Sequence, residues 1–256
     1  MENELTRVVT PEAMKMNAGQ RIISLLTAPG ELFANVKVYP VILVPFLIIL
    51  VIGLVALVPM NRVSEMQMQE LSRISIENYG VDILADMNVD EFGDSAMDSF
   101  LKIFTAVVLV VNVAIGPLIN SLIYAFGIWV LSKILRGKAN FVQLFSMYMH
   151  IYVIGALGTL VISGIMMITG NYVDMTSLAA LVMPQGDMSM PLFNALSAIS
   201  IFSLWTTFLT FIGIKVINEF SAVKAGIITA LVLLFTIGVT VGSLALTWLP
   251  YELGIA

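Results

Sequence analysis

The chain has 256 residues, of which 59% are hydrophobic and only 11% are charged. Soluble proteins carry about 45–50% apolar and about 25% charged residues, so this composition excludes an ordinary soluble domain. The chain has no cysteine, which excludes disulfides, thiol catalysis and thiolate metal sites. Its net charge of −5 does not suit a protein that binds nucleic acid.

The N-terminal segment, residues 1–37, is polar and mixed in charge, and it lacks the ordered regions of a signal peptide. Ile22, Leu25 and Leu26 share one helical face before a break at 28–30. We expect a cytoplasmic leader with an interfacial amphipathic helix that lies in the headgroup plane. The alternative is a helix packed under the bundle.

Five stretches without Asp, Glu, Lys or Arg follow, each longer than the roughly 20 residues that cross a bilayer core as a helix. They are residues 38–61, 103–132, 139–173, 188–214 and 225–251. Because lipid offers no water to backbone groups, each span must be helical. The sequence predicts an all-α polytopic membrane protein, with five transmembrane helices in one bundle over residues 38–256.

The basic residues between these stretches indicate the orientation. Segments 1–37, 133–138 and 215–224 should share one side of the membrane, and they hold nine of the twelve Lys and Arg residues. Cytoplasmic loops carry this excess, so we expect a cytoplasmic N-terminus and an outside C-terminus in a multi-pass protein of the cytoplasmic membrane.

The longest polar segment is the acidic outside loop, residues 60–102, which has nine acidic and three basic residues. Apolar residues interrupt its charges at roughly helical intervals. We expect two short amphipathic helices, separated near 78–80, with the acids on a solvated face.

Polar residues within the spans are the candidate site. Asn112, Gly116 and Asn120 repeat every four residues around a kink at Pro117. Two interpretations stay open for this stripe: hydrogen bonds between helices, or a polar pathway or ligand pocket. The single histidine, His150, is either a hydrogen-bonded interfacial residue or a proton relay or pH sensor.

Small residues predict close helix packing at two places. Gly155, Thr159 and Ser163 repeat every four residues in the third span, and Gly238 and Gly242 form a GxxxG motif in the fifth. We expect Gly238 and Gly242 at a tight helix contact, within one chain or between chains.

Three stretches, in this order along the chain, resemble the Yip (Ypt-interacting-protein) domain family. They cover residues 21–40, 131–157 and 196–225, about a third of the chain. The positions that carry the resemblance are Pro29, Phe33, Gly137, Phe141, Trp205 and Gly213. The chain is most similar to the short prokaryotic branch of that family, because few residues precede its first span.

The resemblance implies five spans, a cytoplasmic N-terminus and no catalytic residue. Eukaryotic relatives bind prenylated Rab GTPases, a property that is not carried over to this chain. We expect a non-enzymatic membrane scaffold or partner-recruiting, trafficking-type protein without cofactor or metal, in contact with the lipid bilayer and with protein partners or a second copy. The alternative is a conduit for lipids or small solutes along the second span. Paired methionines leave a soft-metal sensor as a third hypothesis.

Overall fold

The structure is a computed structural model that describes residues 15–80, 95–171, 173–182 and 191–252. Within them the chain forms helices α1 (Ala18–Thr27), α2 (Pro29–Val38), α3 (Leu43–Tyr79), α4 (Ser95–Ile134), α5 (Phe141–Thr169), α6 (Leu178–Val182), α7 (Pro191–Ser197), α8 (Ile201–Asn218) and α9 (Ala222–Glu252). Five of these helices, α3, α4, α5, α8 and α9, are long and apolar enough to cross a membrane. The prediction of an all-α protein with five spans is confirmed.

Helix α5 is the centre of the bundle, because it packs against α3, α4 and α8 and also touches both N-terminal helices. A capping box between Asn140 and Gln143 fixes its start. Gly170, in the left-handed conformation with φ 68°, ends it. Its side chains Leu144 and Met147 are fully buried, and α5 contributes more residues to the main core than any other described helix.

The two interpretations of the N-terminal segment divide between its two helices. Helix α2 packs against α8 and α5 and buries Leu32 and Phe33 completely. Helix α1 leaves Ile23 and Leu26 63% and 53% exposed. Thus α2 is packed under the bundle, whereas α1 keeps the exposed apolar face that an interfacial helix needs.

The first span and the start of the outside loop form one helix, which differs from the expectation of a separate short helix. Helix α3 continues through Pro59 and ends at Gly80, whose φ of 71° stops it within the predicted break at 78–80. Ion pairs one turn apart support the polar part, between Arg62 and Glu65 and between Arg73 and its neighbours. The second amphipathic helix was expected after this break, where residues 81–94 lie outside the described part; α4 begins at Ser95.

The fourth span is shorter than its charge-free stretch. Helix α8 begins only at Ile201, because Ser200 and Ser203 form a capping box there. The preceding α7 belongs to a small second core in which Ile74 of α3 packs against Val173, Ala179 and Phe193. A stretch defined by missing charges cannot reveal a helix start inside it.

Candidate functional site

The best-defined polar site lies at one end of the bundle, where three distant segments meet. The carboxylate of Glu219 accepts hydrogen bonds from the Nζ atoms of both Lys37 and Lys138. Lys37 lies in the last turn of α2, Lys138 in the turn between α4 and α5, and Glu219 in the turn between α8 and α9. The structure therefore joins the three segments that the charge pattern predicts on one side of the membrane.

We call Lys37, Lys138 and Glu219 the clamp. Its carboxylate is exposed and paired with two lysines. Hydrogen bonds from Lys138 and Lys37, together with their positive charges, lower the pKa of Glu219 to about 2. The Glu219 side chain is 43% exposed, so water and salt screen the attraction. The clamp stays ionised at neutral pH and fixes positions more than it adds stability.

Asn218 continues the same contact into the turn between α4 and α5. Its Oδ1 atom accepts a hydrogen bond from the backbone N–H of Ala139 at 3.3 Å. A Cβ atom at Gly137 would lie 2.8 Å from the Phe220 ring and 2.9 Å from the Ser132 carbonyl oxygen. The turn can approach α8 this closely only because residue 137 is glycine.

Arg21 fastens α1 to α2. Its Nη2 atom donates to Asn35 Oδ1 at 2.8 Å and to the Tyr39 carbonyl at 3.0 Å, and its Nε donates to the Met16 carbonyl at 3.3 Å. The side chain is only 2% exposed, and this burial lowers the pKa of Arg21. Two helices that are each only 10 residues long thereby become one unit.

The link between α2 and α3 is bonded to α5. Gln143 Nε2 donates to the Lys37 carbonyl at 2.7 Å. Ser146 Oγ donates to the Val41 carbonyl at 2.8 Å and accepts from the Val41 N–H at 2.9 Å. These bonds hold the N-terminal unit against the central helix of the bundle.

We call the described residues 15–42, 133–140 and 215–224 the basic end. These residues include eight Lys and Arg residues and two acidic ones, Glu31 and Glu219. The exposed cations are Lys15, Lys133, Arg136, Lys138, Lys215 and Lys224. The basic end therefore presents a net positive surface on a backbone that the clamp, Asn218 and Ser146 hold in place.

The positions that carry the family resemblance cluster on the elements around the basic end. Phe33 is fully buried between α2 and α8, and a Cβ atom at Gly213 would lie 3.5 Å from its ring and 2.9 Å from Met147 Cγ. Gly213 thus allows α8 to pack closely on α2 and α5. Pro29 occupies the first turn of α2, as its fixed φ favours.

Two further positions of the resemblance, Phe141 and Trp205, are aromatic. The Phe141 ring stacks on Phe145 at 6.0 Å and meets the edge of Trp129 at 6.4 Å. Trp205 lies 5.3 Å from the Phe208 ring and lines, with Leu26 of α1, an apolar cavity of about 470 Å³. Phe141 thus joins α5 to α4, whereas Trp205 of α8 and Leu26 of α1 line the same cavity.

A family model for the Yip1 domain matches residues 23–244. The chain belongs to the Yip1 family. This match confirms the resemblance, and it runs from α1 into α9, so that the Yip1 domain contains both the clamp and all six motif positions. Comparisons with curated proteins and with solved structures gave no match.

A second polar site of the Yip1 domain lies within the spans. Asn112, Gly116, Pro117 and Asn120 all line one cavity of about 330 Å³ between α3, α4 and α5. Asn112 Nδ2 donates to the Val108 carbonyl at 2.9 Å and Asn120 Nδ2 to the Gly116 carbonyl at 3.1 Å. Both amides are exposed and bond within their own helix; in the described part of the chain neither bonds to another helix.

His150 lies apart from this cavity and is fully buried in α5. Its Nδ1 atom is 2.7 Å from the Ser146 carbonyl oxygen, which only accepts, so Nδ1 carries the proton. Its Nε2 atom has no hydrogen-bond partner among the described residues. The structure therefore does not group His150 with the two asparagines.

Of the small residues that predicted close packing, the three glycines are not at close contacts with described residues, whereas Ser163 is buried. A Cβ atom at Gly155, Gly238 or Gly242 would meet nothing within 4 Å. Thr159 and Ser163 hydroxyls bond to carbonyls one turn back on α5. A tight contact of Gly238 and Gly242 within one chain is not formed there, and one between chains stays a prediction.

Sequence reasoning missed one glycine at a close helix contact, Gly158, and the centre of the clamp, Glu219. A Cβ atom at Gly158 would lie 2.7 Å from Phe202 Cγ, so α5 and α8 touch there. Glu219 is the only acidic residue in segments 133–138 and 215–224. A lone acid among lysines was the available signal, whereas nothing in the sequence distinguishes Gly158 from Gly155.

Proposed function

We propose that this Yip1-family chain is a non-enzymatic membrane scaffold that recruits a partner protein through its basic end. The observation that carries the proposal is the clamp of Lys37, Glu219 and Lys138, which joins three distant segments into one positive surface. Such a surface is already ordered before a partner arrives, so binding loses little conformational entropy.

The chemistry of the basic end favours recruitment over catalysis. Glu219 is a weak base because its pKa is near 2, and His150 is buried away from the surface. The exposed lysines and Arg136 instead offer charges that steer and orient an acidic protein segment. We place this end on the cytoplasmic side of the cytoplasmic membrane, where basic loops accumulate.

The proposal is tested by quantitative mass spectrometry of proteins that co-purify with the full chain from its own membranes. A basic-end variant replaces Lys133, Arg136 and Lys215 with Gln, and it spares the three clamp residues. We expect the partner to be lost or reduced about tenfold, because the steering charges are gone while the fold is kept.

The matched control removes cations from the opposite end through Arg62→Gln and Arg73→Gln, and it should retain the partner. Thermal unfolding of both variants checks that each is folded. A partner set that is the same for the wild type and the basic-end variant would refute recruitment through this surface.

A further inference from the structure

The cavity between α3, α4 and α5 combines polar groups with a position inside membrane-spanning helices. Asn112, Asn120 and Thr159 are exposed side chains that line it, although each belongs to a helix apolar enough to span the bilayer. An exposed amide facing only lipid tails is costly. These groups therefore need a polar occupant or a water-filled space next to them.

The two asparagines keep free hydrogen-bonding capacity. Each amide donates one N–H to a carbonyl oxygen of its own helix. The second N–H and the Oδ1 atom stay available for hydrogen bonds. Pro117 has no N–H, so the carbonyl of Val113, another lining residue, loses its usual helical donor. The cavity wall thus offers both donors and acceptors within about 12 Å along α4.

The charge of the cavity defines the class of occupant. None of its lining residues is an acid, a lysine, an arginine or a histidine. A phosphate or ammonium group buried there would have no counter-charge, which is expensive away from water. A hydroxyl group suits the wall better, because it donates to a carbonyl oxygen and accepts from an amide at the same time.

The shape of the cavity points to a lipid as the source of that hydroxyl. Its volume of about 330 Å³ is at the lower end of pockets that hold small molecules, so it fits a head group and not whole acyl chains. Beside it, α4 exposes apolar side chains such as Ile115 and Ile119 along which chains can lie. Gly116 keeps the space open, since a Cβ atom there would meet nothing within 4 Å.

We propose that this cavity binds the hydroxyl head group of a neutral, uncharged lipid between α3, α4 and α5. The lipid hydroxyl hydrogen-bonds with one amide of the pair Asn112 and Asn120, an ester carbonyl of the lipid accepts from the other, and the acyl chains lie on the apolar surface of α4. This site is at the level of the spans, away from the basic end, and it does not depend on the scaffold function.

The test uses the full chain in phosphatidylcholine nanodiscs that contain either dioleoylglycerol or its 3-acetyl ester. The two probes share their acyl chains, but only dioleoylglycerol has a free hydroxyl. We expect native mass spectrometry to show one retained dioleoylglycerol per chain and about tenfold less of the ester, because the ester cannot donate a hydrogen bond to an asparagine Oδ1 atom or to the Val113 carbonyl oxygen.

Two variants alter the cavity in different ways. The double substitution Asn112→Leu with Asn120→Leu removes the hydrogen-bonding groups, and Gly116→Leu fills the space while both amides stay. Each should reduce dioleoylglycerol retention about tenfold. The control Ile227→Leu changes an exposed residue of α9, a helix that does not line the cavity, and it should bind as the wild type does.

Three results would overturn the proposal. One is equal retention of dioleoylglycerol and its ester, which shows that the hydroxyl is not recognised. Another is unchanged retention in both cavity variants when thermal unfolding shows that they are folded. The third is a lipid-free dimer that Gly116→Leu dissociates, since a second copy would then be what covers the cavity.

Discussion

At the residue scale, the ion pair of Glu219 with Lys138 gives the clamp a measurable dependence on charge. We expect Lys138→Gln to lower the melting temperature of the detergent-solubilised protein by a few degrees at low salt, and less at high salt, because the pair is exposed. Lys215→Gln is the matched control. Lys215 is an exposed lysine of α8 that pairs with none of the described acids. Equal losses for both variants would contradict a specific role of the clamp.

The depressed pKa of Glu219 sets the pH range of its contribution. Its folded pKa, about 2, lies below the unfolded value of 4.5, so the clamp stabilises fully above that value and loses its effect as pH falls through about 2. Glu219→Gln should therefore melt below the wild type by a constant margin from neutral pH down to about pH 5. The margin should narrow on further acidification, as thermal melts at a series of pH values will show. A margin that widens on acidification would mean that the two lysines do not lower this pKa.

Residue-level prediction from sequence depends on a pattern within one segment. The stripe of Asn112, Gly116 and Asn120 is spaced by helical periodicity, and the structure places all three on one cavity. The clamp joins residues 37, 138 and 219, and Arg21 acts on Asn35 across a helix break. No local spacing encodes such contacts, because they arise only when distant segments pack.

At the element scale, one close contact between α5 and α8 depends on Gly158. Gly158→Ala places a Cβ atom within 3 Å of the Cβ and Cγ atoms of Phe202. Overpacking of this kind lowers the free energy of unfolding by about 1–3 kcal/mol. Gly155→Ala, three residues away on the same helix, adds a methyl group that meets nothing within 4 Å. It should be neutral or stabilising by up to about 1 kcal/mol. Thermal unfolding of both variants in one detergent gives the comparison, and a destabilised Gly155→Ala with an unaffected Gly158→Ala would refute this packing.

Helix existence was predictable because lipid permits only helices in the spans, but helix ends were less so. The start of α5 at Asn140 and of α8 at Ser200 comes from capping boxes inside charge-free stretches. Neither cap changes the hydropathy of its stretch. The predicted fourth span therefore begins at residue 188, before the observed helix start at Ile201. The end of α3 at Gly80 was foreseen, since a glycine in the left-handed conformation is a strong stop signal.

At the scale of the whole molecule, the convergence of segments 15–42, 133–140 and 215–224 agrees with a topology in which all three lie on one side. The charge bias predicts that this side is the cytoplasmic one. The absence of cysteine from the chain allows this to be tested with single substitutions. Ser221 is exposed in the turn between α8 and α9, and Ser64 is exposed on the polar part of α3 at the other end of the first span.

A membrane-impermeant maleimide applied to intact cells should therefore label Ser64→Cys and leave Ser221→Cys unlabelled. After the cells are permeabilised, both variants should react, because both side chains are exposed. The wild type is the control for background, as it offers no thiol. Labelling of Ser221→Cys alone in intact cells would place the basic end outside, where it could not meet a cytoplasmic partner. The scaffold proposal would then fail together with the orientation, while the lipid site between α3, α4 and α5 would be unaffected, because it lies at the depth of the spans whichever way the bundle is inserted.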